Sequence, residues 1–305
     1  MTVAAPIDRS LARWQPWLEH AARLAVRGHG YAEPNPLVGC VILDADGALA
    51  GEGYHQRYGH AHAEGNALAA AGHRARGGTA IVTLEPCNHV GKVGACSIAL
   101  HRAGIARLVY ACTDPFPIAA GGAEHLRALG VEVLQVRSPA AEQVTAPFLH
   151  RTSTALPWVT LKWAQSLDGC LAQPAGHSPW ISGDRSRAMV HAERGRVDAI
   201  LTGMGTVLAD DPLLTARNVR VRRTALRVVW DPRLTIPLTS QLVRTACSAL
   251  PVVLGTTIDA AAGRSEHARA LVRAGVALAP VDDLRALLVW LRAERGTATV
   301  LVEAG

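Results

Sequence analysis

The sequence has no apolar run approaching the roughly 18 consecutive residues that a membrane-spanning helix requires. It opens MTVAAPIDRS and so has no apolar signal region behind a basic start. Its six cysteines are scattered along a long chain, a pattern that does not indicate a disulfide framework. We therefore expect a cytoplasmic protein without membrane contact, in which reduced thiols can bind metal.

Aromatic and charged residues are also scarce, at 4% and 18% of the chain. Few aromatics argue against the base-stacking surface that a nucleic-acid enzyme needs. The net charge of +6 comes mainly from arginine. It suits an anionic ligand, although solvated arginine faces in an arginine-rich proteome would give the same composition. No G-x-G-x-x-G motif is present, so a Rossmann domain is not supported.

The 305 residues correspond to about two domains at the usual ~150 residues each, and 49% hydrophobic content can fill two cores. Helical and strand-like patterns alternate in both halves, which predicts two α/β domains with a boundary near residue 150. Ser138 to Thr154 mixes proline, alanine and polar residues without strong strand character, and Pro157 then begins a new strand. The main predicted strands are Val38 to Leu43, Thr79 to Leu84, Arg107 to Cys112, Val131 to Val136, Trp158 to Lys162, Asp198 to Thr202, Leu226 to Trp230, Pro251 to Leu254 and Thr297 to Val302.

A metal-ligand pattern occurs in the first half. His62-Ala63-Glu64 begins a predicted helix, and Glu85-Pro86-Cys87 follows a predicted strand. His62 and Cys87, with Cys96 as third ligand, form a set that suits Zn²⁺ and leaves one tetrahedral position for water. Such a site lowers the pKa of water to about 7 and supplies hydroxide for attack on a ring carbon bearing an amine. Glu64 is then the proton shuttle of a deaminase-type site.

The motifs around these residues resemble those of the bifunctional deaminase/reductase family of riboflavin biosynthesis. Asn35 to Gly39 is similar to the family motif N-P-x-V-G. Gly51 to Glu64 is similar to a segment that begins with G-x-G-x-H and ends with H-A-E. Thr83 to His89 is similar to T-L-E-P-C-S-H. The generic deaminase signature has P-C-x-x-C, whereas the second cysteine here lies nine residues after the first. That long spacing is a feature of the family.

The resemblance implies that Asn35, His89 and Lys92 help to hold the pyrimidine or its ribosyl phosphate. Two departures bear on the substrate. Val93 to Ala95 replaces the family's Thr-Pro-Pro, and Phe116 replaces the asparagine of D-P-N-P.

The second half resembles the family's reductase. Leu161 to Gly169 is similar to L-K-x-A-x-S-L-D-G, Ser178 to Ser182 to S-x-W-I-T, and Ala199 to Thr215 to the long run A-I-L-x-G-x-G-T-V-L-A-D-D-P-x-L-T. The implied architecture is an N-terminal cytidine-deaminase-like domain over residues 1–148 and a C-terminal dihydrofolate-reductase-like domain over residues 155–305.

The resemblance also implies the reductase site. NADPH would contact Ala164, Trp180, Thr206, Asp210 and Gly305. The substrate would contact Ser178, Arg194, Leu214, Arg217 and Glu303. Arg194 and Arg217 make chemical sense as phosphate ligands, because guanidinium groups pair bidentately with phosphate oxygens. The sequence ends at Gly305, where the family continues through a glycine-containing NADPH loop, so the reductase domain is expected to be incomplete as given.

These features predict riboflavin biosynthesis: zinc-dependent hydrolytic deamination of a ribosylaminopyrimidine 5′-phosphate, then NADPH reduction of its ribosyl group to ribityl. A homo-oligomer formed through the reductase domains is expected from the resemblance. Alternatives are a family paralogue acting on a related pyrimidine, a deaminase with an inactive reductase domain, a nucleic-acid deaminase, and a non-catalytic zinc-stabilised module. The last alternative needs a fourth protein ligand, for which His89 is the nearby candidate.

Overall fold

The computed structural model of the chain describes residues 9–89, 94–171, 180–262 and 266–303. The chain divides into two units, Met1–Ser153 and Thr154–Gly305, and each unit has its own sheet and hydrophobic core. Among the described helices, none combines the length and the apolar character needed to cross a membrane.

The first unit is a five-stranded sheet with helices on it. Its elements, in chain order, are α1 (Arg9–Ala12), α2 (Gln15–Val26), β1 (Gly39–Leu43), β2 (Leu49–Tyr54), α3 (Ala63–Ala71), a short 3-10 helix (Gly72–Ala75), β3 (Thr79–Leu84), α4 (Cys96–Arg102), β4 (Arg107–Cys112), α5 (Gly122–Ala128), β5 (Glu132–Gln135) and α6 (Pro139–Ser153).

The strand order of this sheet is β2-β1-β3-β4-β5. β1 pairs antiparallel with both β2 and β3, whereas β3, β4 and β5 are parallel. Every residue of β1 and of β3 is buried, as expected for apolar strands covered on both faces. The Asp44 carboxylate accepts the backbone N–H groups of Asp46 and Ala48 and closes the turn between β1 and β2.

The second unit is a six-stranded sheet in which every neighbouring pair is parallel. Its strand order is β10-β9-β8-β7-β11-β6. Its elements are β6 (Trp158–Lys162), α7 (Asp184–Arg194), β7 (Ala199–Gly203), α8 (Met204–Asp210), β8 (Leu226–Trp230), α9 (Gln241–Arg244), β9 (Val252–Thr256), α10 (Ile258–Ala262), α11 (Glu266–Arg273), β10 (Val276–Pro280), α12 (Leu284–Arg295) and β11 (Thr299–Glu303).

The topology of this second sheet places three strand ends side by side. β11 pairs with β6 on one side and with β7 on the other. Because all three strands are parallel, their C-terminal ends lie at one edge of the sheet, where ligands bind in open α/β sheets. Glu303 ends β11, and Gly203 ends β7 directly before α8.

The α/β class predicted from the alternating patterns is confirmed. The predicted strands at Thr79, Arg107, Trp158 and Leu226 coincide with β3, β4, β6 and β8. The segment from Ser138 to Thr154, for which no element was predicted, is mostly helix α6. The helix continues through Pro147, a residue that usually interrupts a helix interior, and its buried face includes Ala141 and Val144.

Candidate metal centre and active site

Three elements of the first unit bring the predicted metal ligands together. His62 is the N-cap of α3, and Glu64 lies in the first turn of that helix. Cys87 follows the C-terminal end of β3, and Cys96 is the first residue of α4. The three ligands and the predicted proton shuttle therefore converge from segments far apart in the sequence.

Two glycines of β2 allow α3 to lie close to the sheet. A Cβ on Gly51 would stand 2.5 Å from the carbonyl oxygen of Ala67, and one on Gly53 would stand 2.4 Å from the amide nitrogen of Ala67. Both distances are too short for any side chain. The G-x-G pair thus fixes the position of the helix that carries His62 and Glu64.

The ligand atoms have the separation that one ion requires. His62 Nδ1 lies 3.5 Å from Cys87 Sγ and 3.4 Å from Cys96 Sγ. Zinc binds sulfur at about 2.3 Å and imidazole nitrogen at about 2.0 Å, so tetrahedral ligand atoms are roughly 3.5–3.8 Å apart. Within the described ranges, these three residues form the one such group of His, Cys, Asp or Glu side chains. The donor set and its spacing fit zinc.

His89 does not complete the ligand set. It lines the same pocket but does not belong to the cluster of ligand atoms. Its Nδ1 atom is buried and has no hydrogen-bond partner among the residues that the structure describes. A closed structural zinc site has four protein ligands, whereas a catalytic site has three and an open position. The described residues therefore form the second kind of site, with His89 in the wall of the cavity.

The two cysteine thiols differ in acidity, because a hydrogen bond between them moves their pKa values in opposite directions. A hydrogen bond from the Cys96 thiol lowers the pKa of Cys87 to about 4, and His62 and the backbone N–H of Cys96 contribute in the same direction. The pKa of Cys96 is raised, because it makes that hydrogen bond to Cys87 and is buried. The pKa of His62 is raised mainly by its hydrogen bond to Cys87. Cys87 is thus the group of the cluster that ionises most readily, and the thiolate is the form that binds a metal ion.

Glu64 has the environment of a proton carrier. Its side chain is 3% exposed. Burial, followed by the negative charge of Cys87, raises the pKa of Glu64 to about 7. A carboxyl with a pKa near neutrality can both accept and release a proton. Glu64 also lines the pocket, so its carboxyl can reach a molecule bound there.

Asn35 is oriented by His55. His55 Nδ1 lies 3.1 Å from the carbonyl oxygen of Ala61, which can only accept, so Nδ1 carries the proton. The other nitrogen, Nε2, then accepts from Asn35 Nδ2 at 3.3 Å. Burial lowers the pKa of His55 and keeps it neutral in this role. The amide oxygen of Asn35 can then accept a hydrogen bond from a donor in the cavity.

The metal ligands open into a cavity of about 350 Å³, which is the size of a small-molecule site. The predicted residues Asn35, His62, Glu64, Cys87 and His89 line it together. Phe116, the residue that departs from the family pattern, also lines it and is 47% exposed. The remaining walls include Pro36, Val38, His55, Tyr58, His60, Leu84, Glu85, Asp114, Ala119, Phe148 and Arg151.

Glu85 holds the loops around this cavity. Its buried carboxylate accepts the backbone N–H of Asp114 at 3.3 Å and that of Ala123 at 3.0 Å. The residue beside it, Pro86, is in van der Waals contact with the start of α5, since a Cβ on Gly122 would lie 1.8 Å from the Pro86 carbonyl oxygen. These contacts fix the position of the chain at Cys87.

In the second unit, the predicted substrate residues lie around Arg194 at the end of α7. Arg194 forms a two-bond ion pair with Glu303, with distances of 2.6 Å and 2.7 Å, although 109 residues separate them. Its Nη1 also donates to the carbonyl of Thr215 at 3.4 Å. Leu214 is buried beside this pair with a positive φ of 50°, and Arg217 donates to the Thr215 hydroxyl.

Three of the predicted cofactor residues follow strands that end at the C-terminal edge of the second sheet. Ala164 follows β6, and Thr206 and Asp210 are in α8, which begins after β7. Trp180 is 60% exposed and stacks with the Arg187 guanidinium at 4.7 Å. Accessible groups at adjacent parallel strand ends fit a nucleotide cofactor. Lys92, Val93, Ser178 and Gly305 lie outside the described residues.

The sequence interpretation assigned no role to several residues that line the first cavity. His55 stands in the G-x-G-x-H run, so its spacing could have indicated it. Phe148 and Arg151 lie on α6, and the apolar spacing of that segment was not recognised as helical. Glu85 was treated as the neighbour of a ligand, with no signal for its backbone contacts.

Two family models match the chain. Residues 13–112 match the cytidine and deoxycytidylate deaminase zinc-binding region, and residues 157–305 match the RibD C-terminal domain. Both matches agree with the fold class and with the metal-ligand cluster.

Individual relatives cover both units. The riboflavin biosynthesis protein RibD of Bacillus amyloliquefaciens is 37% identical over 95% of this chain and 78% of its own length. RibD of Aquifex aeolicus is 42% identical over 75% of this chain. That match spans 65% of the Aquifex protein, which is less than two thirds of its length.

A solved structure is similar over almost the whole chain. It is the diaminohydroxyphosphoribosylaminopyrimidine deaminase/5-amino-6-(5-phosphoribosylamino)uracil reductase of Thermotoga maritima, with 33% identity and a TM-score of 0.81. The similarity covers 97% of this chain and 82% of that structure.

Proposed function

The chain belongs to the RibD family of riboflavin biosynthesis proteins, and from this we propose that its first unit is a zinc-dependent deaminase of a ribosylaminopyrimidine 5′-phosphate. One observation carries the proposal. A three-ligand cluster of His62, Cys87 and Cys96 opens, beside the buried Glu64, into a cavity of about 350 Å³. A cavity of this size accommodates a single small molecule.

Different residues of the site would carry out different parts of hydrolytic deamination. His62, Cys87 and Cys96 would hold zinc, which supplies an activated water when bound. Glu64 would move two protons in turn: the first from the attacking water to the ring nitrogen, and the second from the resulting hydroxyl group to the amino group, which leaves as ammonia. Its raised pKa suits both transfers. Asn35, oriented by His55, presents an amide oxygen to a ring amine. His89 would contact the bound pyrimidine or its ribosyl phosphate through its buried Nδ1.

We also propose that the second unit reduces the ribosyl group of the deaminated product to ribityl with NADPH. The cofactor supplies the hydride, and the protein has to orient it. Ala164, Trp180, Thr206 and Asp210 would contact NADPH at the C-terminal sheet edge, together with Gly305. Arg194, Leu214, Arg217 and Glu303 would contact the substrate, together with Ser178. The Arg194–Glu303 pair supports this assignment because it fixes the guanidinium at the same edge.

The proposed function also bears on the location and the partners of the enzyme. We propose a cytoplasmic homo-oligomer that acts on a small molecule, without nucleic-acid or membrane partners. Supporting observations are the low aromatic content and the reduced cysteines that the metal cluster requires.

The first experiment measures ammonia release from the diaminopyrimidine ribosyl phosphate by zinc-loaded protein, with NADPH oxidation followed in the same sample. The Glu64→Gln variant is expected to lose at least about a hundredfold in ammonia release, the lower end for a general acid–base. It should retain zinc, since Glu64 is not a ligand.

The outcomes separate the two activities. Both signals in the wild type, with ammonia release lost in Glu64→Gln, support the bifunctional enzyme. Ammonia release without NADPH oxidation contradicts the reductase assignment. Phe116 in the cavity wall departs from the family pattern and bears on which pyrimidine is bound. Turnover of a related aminopyrimidine that is faster than turnover of the ribosyl phosphate would contradict the assigned substrate.

A further inference from the structure

The last helix of the first unit contributes two side chains to the wall of the deaminase cavity. Phe148 and Arg151 both line the cavity, and they stand three residues apart on α6, so they share one face of that helix. The Arg151 guanidinium carbon lies 5.5 Å from the centre of the Phe148 ring. Arg151 is therefore held against an aromatic ring beside the reaction site, on an element that carries none of the metal ligands.

Arg151 differs in charge from the carboxyl groups that line the same cavity. Three carboxylate side chains line the cavity, those of Glu64, Glu85 and Asp114. Backbone N–H groups hold Glu85 and Asp114 in place. Of the lining residues that the structure describes, Arg151 is the one Lys or Arg. A phosphate that enters a cavity lined by carboxyl groups is stabilised by a cation beside it, and Arg151 is placed to supply one.

The geometry of Arg151 suits phosphate. A guanidinium is planar and binds two phosphate oxygens at once, and stacking on an aromatic ring reduces the side-chain freedom lost on binding. Arg151 also lies in the last turn of α6, where the helix dipole favours a positive charge. Its side chain is half-buried, so solvent screens it less than an exposed arginine.

We propose that Arg151, laid on Phe148, binds the 5′-phosphate of the pyrimidine and makes the deaminase site selective for the phosphorylated substrate over the corresponding riboside. This role rests on the deaminase function proposed above. It makes Arg151 a specificity-determining residue of that site and gives helix α6 a part in substrate recognition.

The test compares ammonia release from the phosphorylated pyrimidine and from its dephosphorylated riboside. In Arg151→Gln, the ratio of kcat/KM for the phosphate to that for the riboside is expected to fall at least tenfold, about 1.4 kcal/mol. The change should come mainly from a raised KM for the phosphate. Arg151→Lys should recover part of the ratio, since lysine keeps the charge without the planar fork.

Arg127→Gln is the matched control, because Arg127 is an exposed arginine on α5 that does not line the cavity. It should keep the wild-type ratio, and zinc content should be equal in all variants. An unchanged ratio in Arg151→Gln would overturn the proposal.

A second measurement does not depend on turnover. Ribose 5-phosphate is titrated into wild type, Arg151→Gln and Arg127→Gln by calorimetry, and Arg151→Gln alone is expected to lose a binding site. If the wild type releases no ammonia from either pyrimidine, the deaminase proposal fails, and this titration still decides the role of Arg151. Equal titrations in all three proteins would contradict that role.

Discussion

At the scale of single residues, buried acceptors and donors decide how the cavity is built. The Glu85 carboxylate has two oxygens and uses each for one backbone N–H, from Ala123 and Asp114. Both donors are in buried residues, so water does not readily replace the carboxylate. The residue next to a metal-ligand loop therefore has a structural role that its charge alone would not indicate.

Replacing Glu85 with glutamine tests this role. The amide oxygen can accept one N–H, but the amide nitrogen then faces the other donor. We expect the free energy of unfolding to fall by about 1–3 kcal/mol, the range for leaving a buried polar group unsatisfied. Zinc should also be lost more readily to a competing chelator, because the loop at Cys87 is no longer fixed. Urea denaturation and a zinc-competition titration measure the two effects.

Glu124→Gln is the control, since Glu124 is exposed on α5. Its free energy of unfolding should stay within about 0.5 kcal/mol of the wild type, as for most surface substitutions. Equal stability of both variants would mean that the backbone contacts of Glu85 do not stabilise the loop.

At the scale of elements, the active site depends on how closely helix α3 lies against strand β2. The contact is made by backbone on backbone, through Gly51 and Gly53 against Ala63 and Ala67. Helix α3 carries His62 at its N-cap and Glu64 in its first turn. A change in the distance between helix and strand therefore changes the ligand cluster and the proton carrier together.

Gly53→Ala is expected to push α3 away from the sheet. The new Cβ would lie 2.4 Å from the Ala67 amide nitrogen and 2.6 Å from the Ala63 carbonyl oxygen. Overpacking of this kind lowers stability by about 1–3 kcal/mol. We expect slower ammonia release and weaker zinc binding as well, measured by a coupled ammonia assay and by metal content after dialysis.

Gly65→Ala on the same helix is the matched control. The nearest atom to its new Cβ is the Ala61 Cβ at 3.7 Å, an ordinary contact. Alanine in a helix is favoured over glycine by roughly 0.5–1 kcal/mol, so this variant should be at least as stable as the wild type. If both alanine variants keep full activity and zinc, close helix–strand packing does not position the site.

At the scale of the whole molecule, the metal and the second sheet belong to different cores. All three zinc ligands are in the unit Met1–Ser153, and the parallel sheet of the other unit has its own apolar clusters. A ligand that binds only the native form of one unit stabilises that unit by mass action. Zinc is therefore expected to act on the unfolding of one part of the chain.

Scanning calorimetry with and without a chelator tests this expectation. Metal present at a thousand times its dissociation constant contributes about 4 kcal/mol. For a unit of roughly 150 residues this shifts the Tm by roughly 10 °C. The chelator should lower one unfolding transition and leave the other within error, and added zinc should restore it. A parallel shift of both transitions would contradict independent cores.

Part of the molecule follows from the sequence alone, at every scale. Short apolar runs with β-branched members favour strands, which is why β3, β4, β6 and β8 coincide with their predicted bounds. The metal ligands could also be identified, because histidine, two cysteines and a neighbouring glutamate are reactive groups with few alternative roles at that spacing. Family motifs extended this identification to the second unit.

Contacts between residues far apart in the sequence could not be predicted from local patterns, because they depend on the tertiary structure. Helix α6 was not predicted because Pro147 disfavours a helix interior, whereas packing of Ala141 and Val144 stabilises the helix. That packing brings Phe148 and Arg151 to the cavity. The Arg194–Glu303 pair, the tautomer of His55 and the two backbone contacts of Glu85 likewise depend on long-range contacts. The sequence determined which chemical groups the protein carries; chain folding decided which of them meet, because proximity between distant residues arises only from packing.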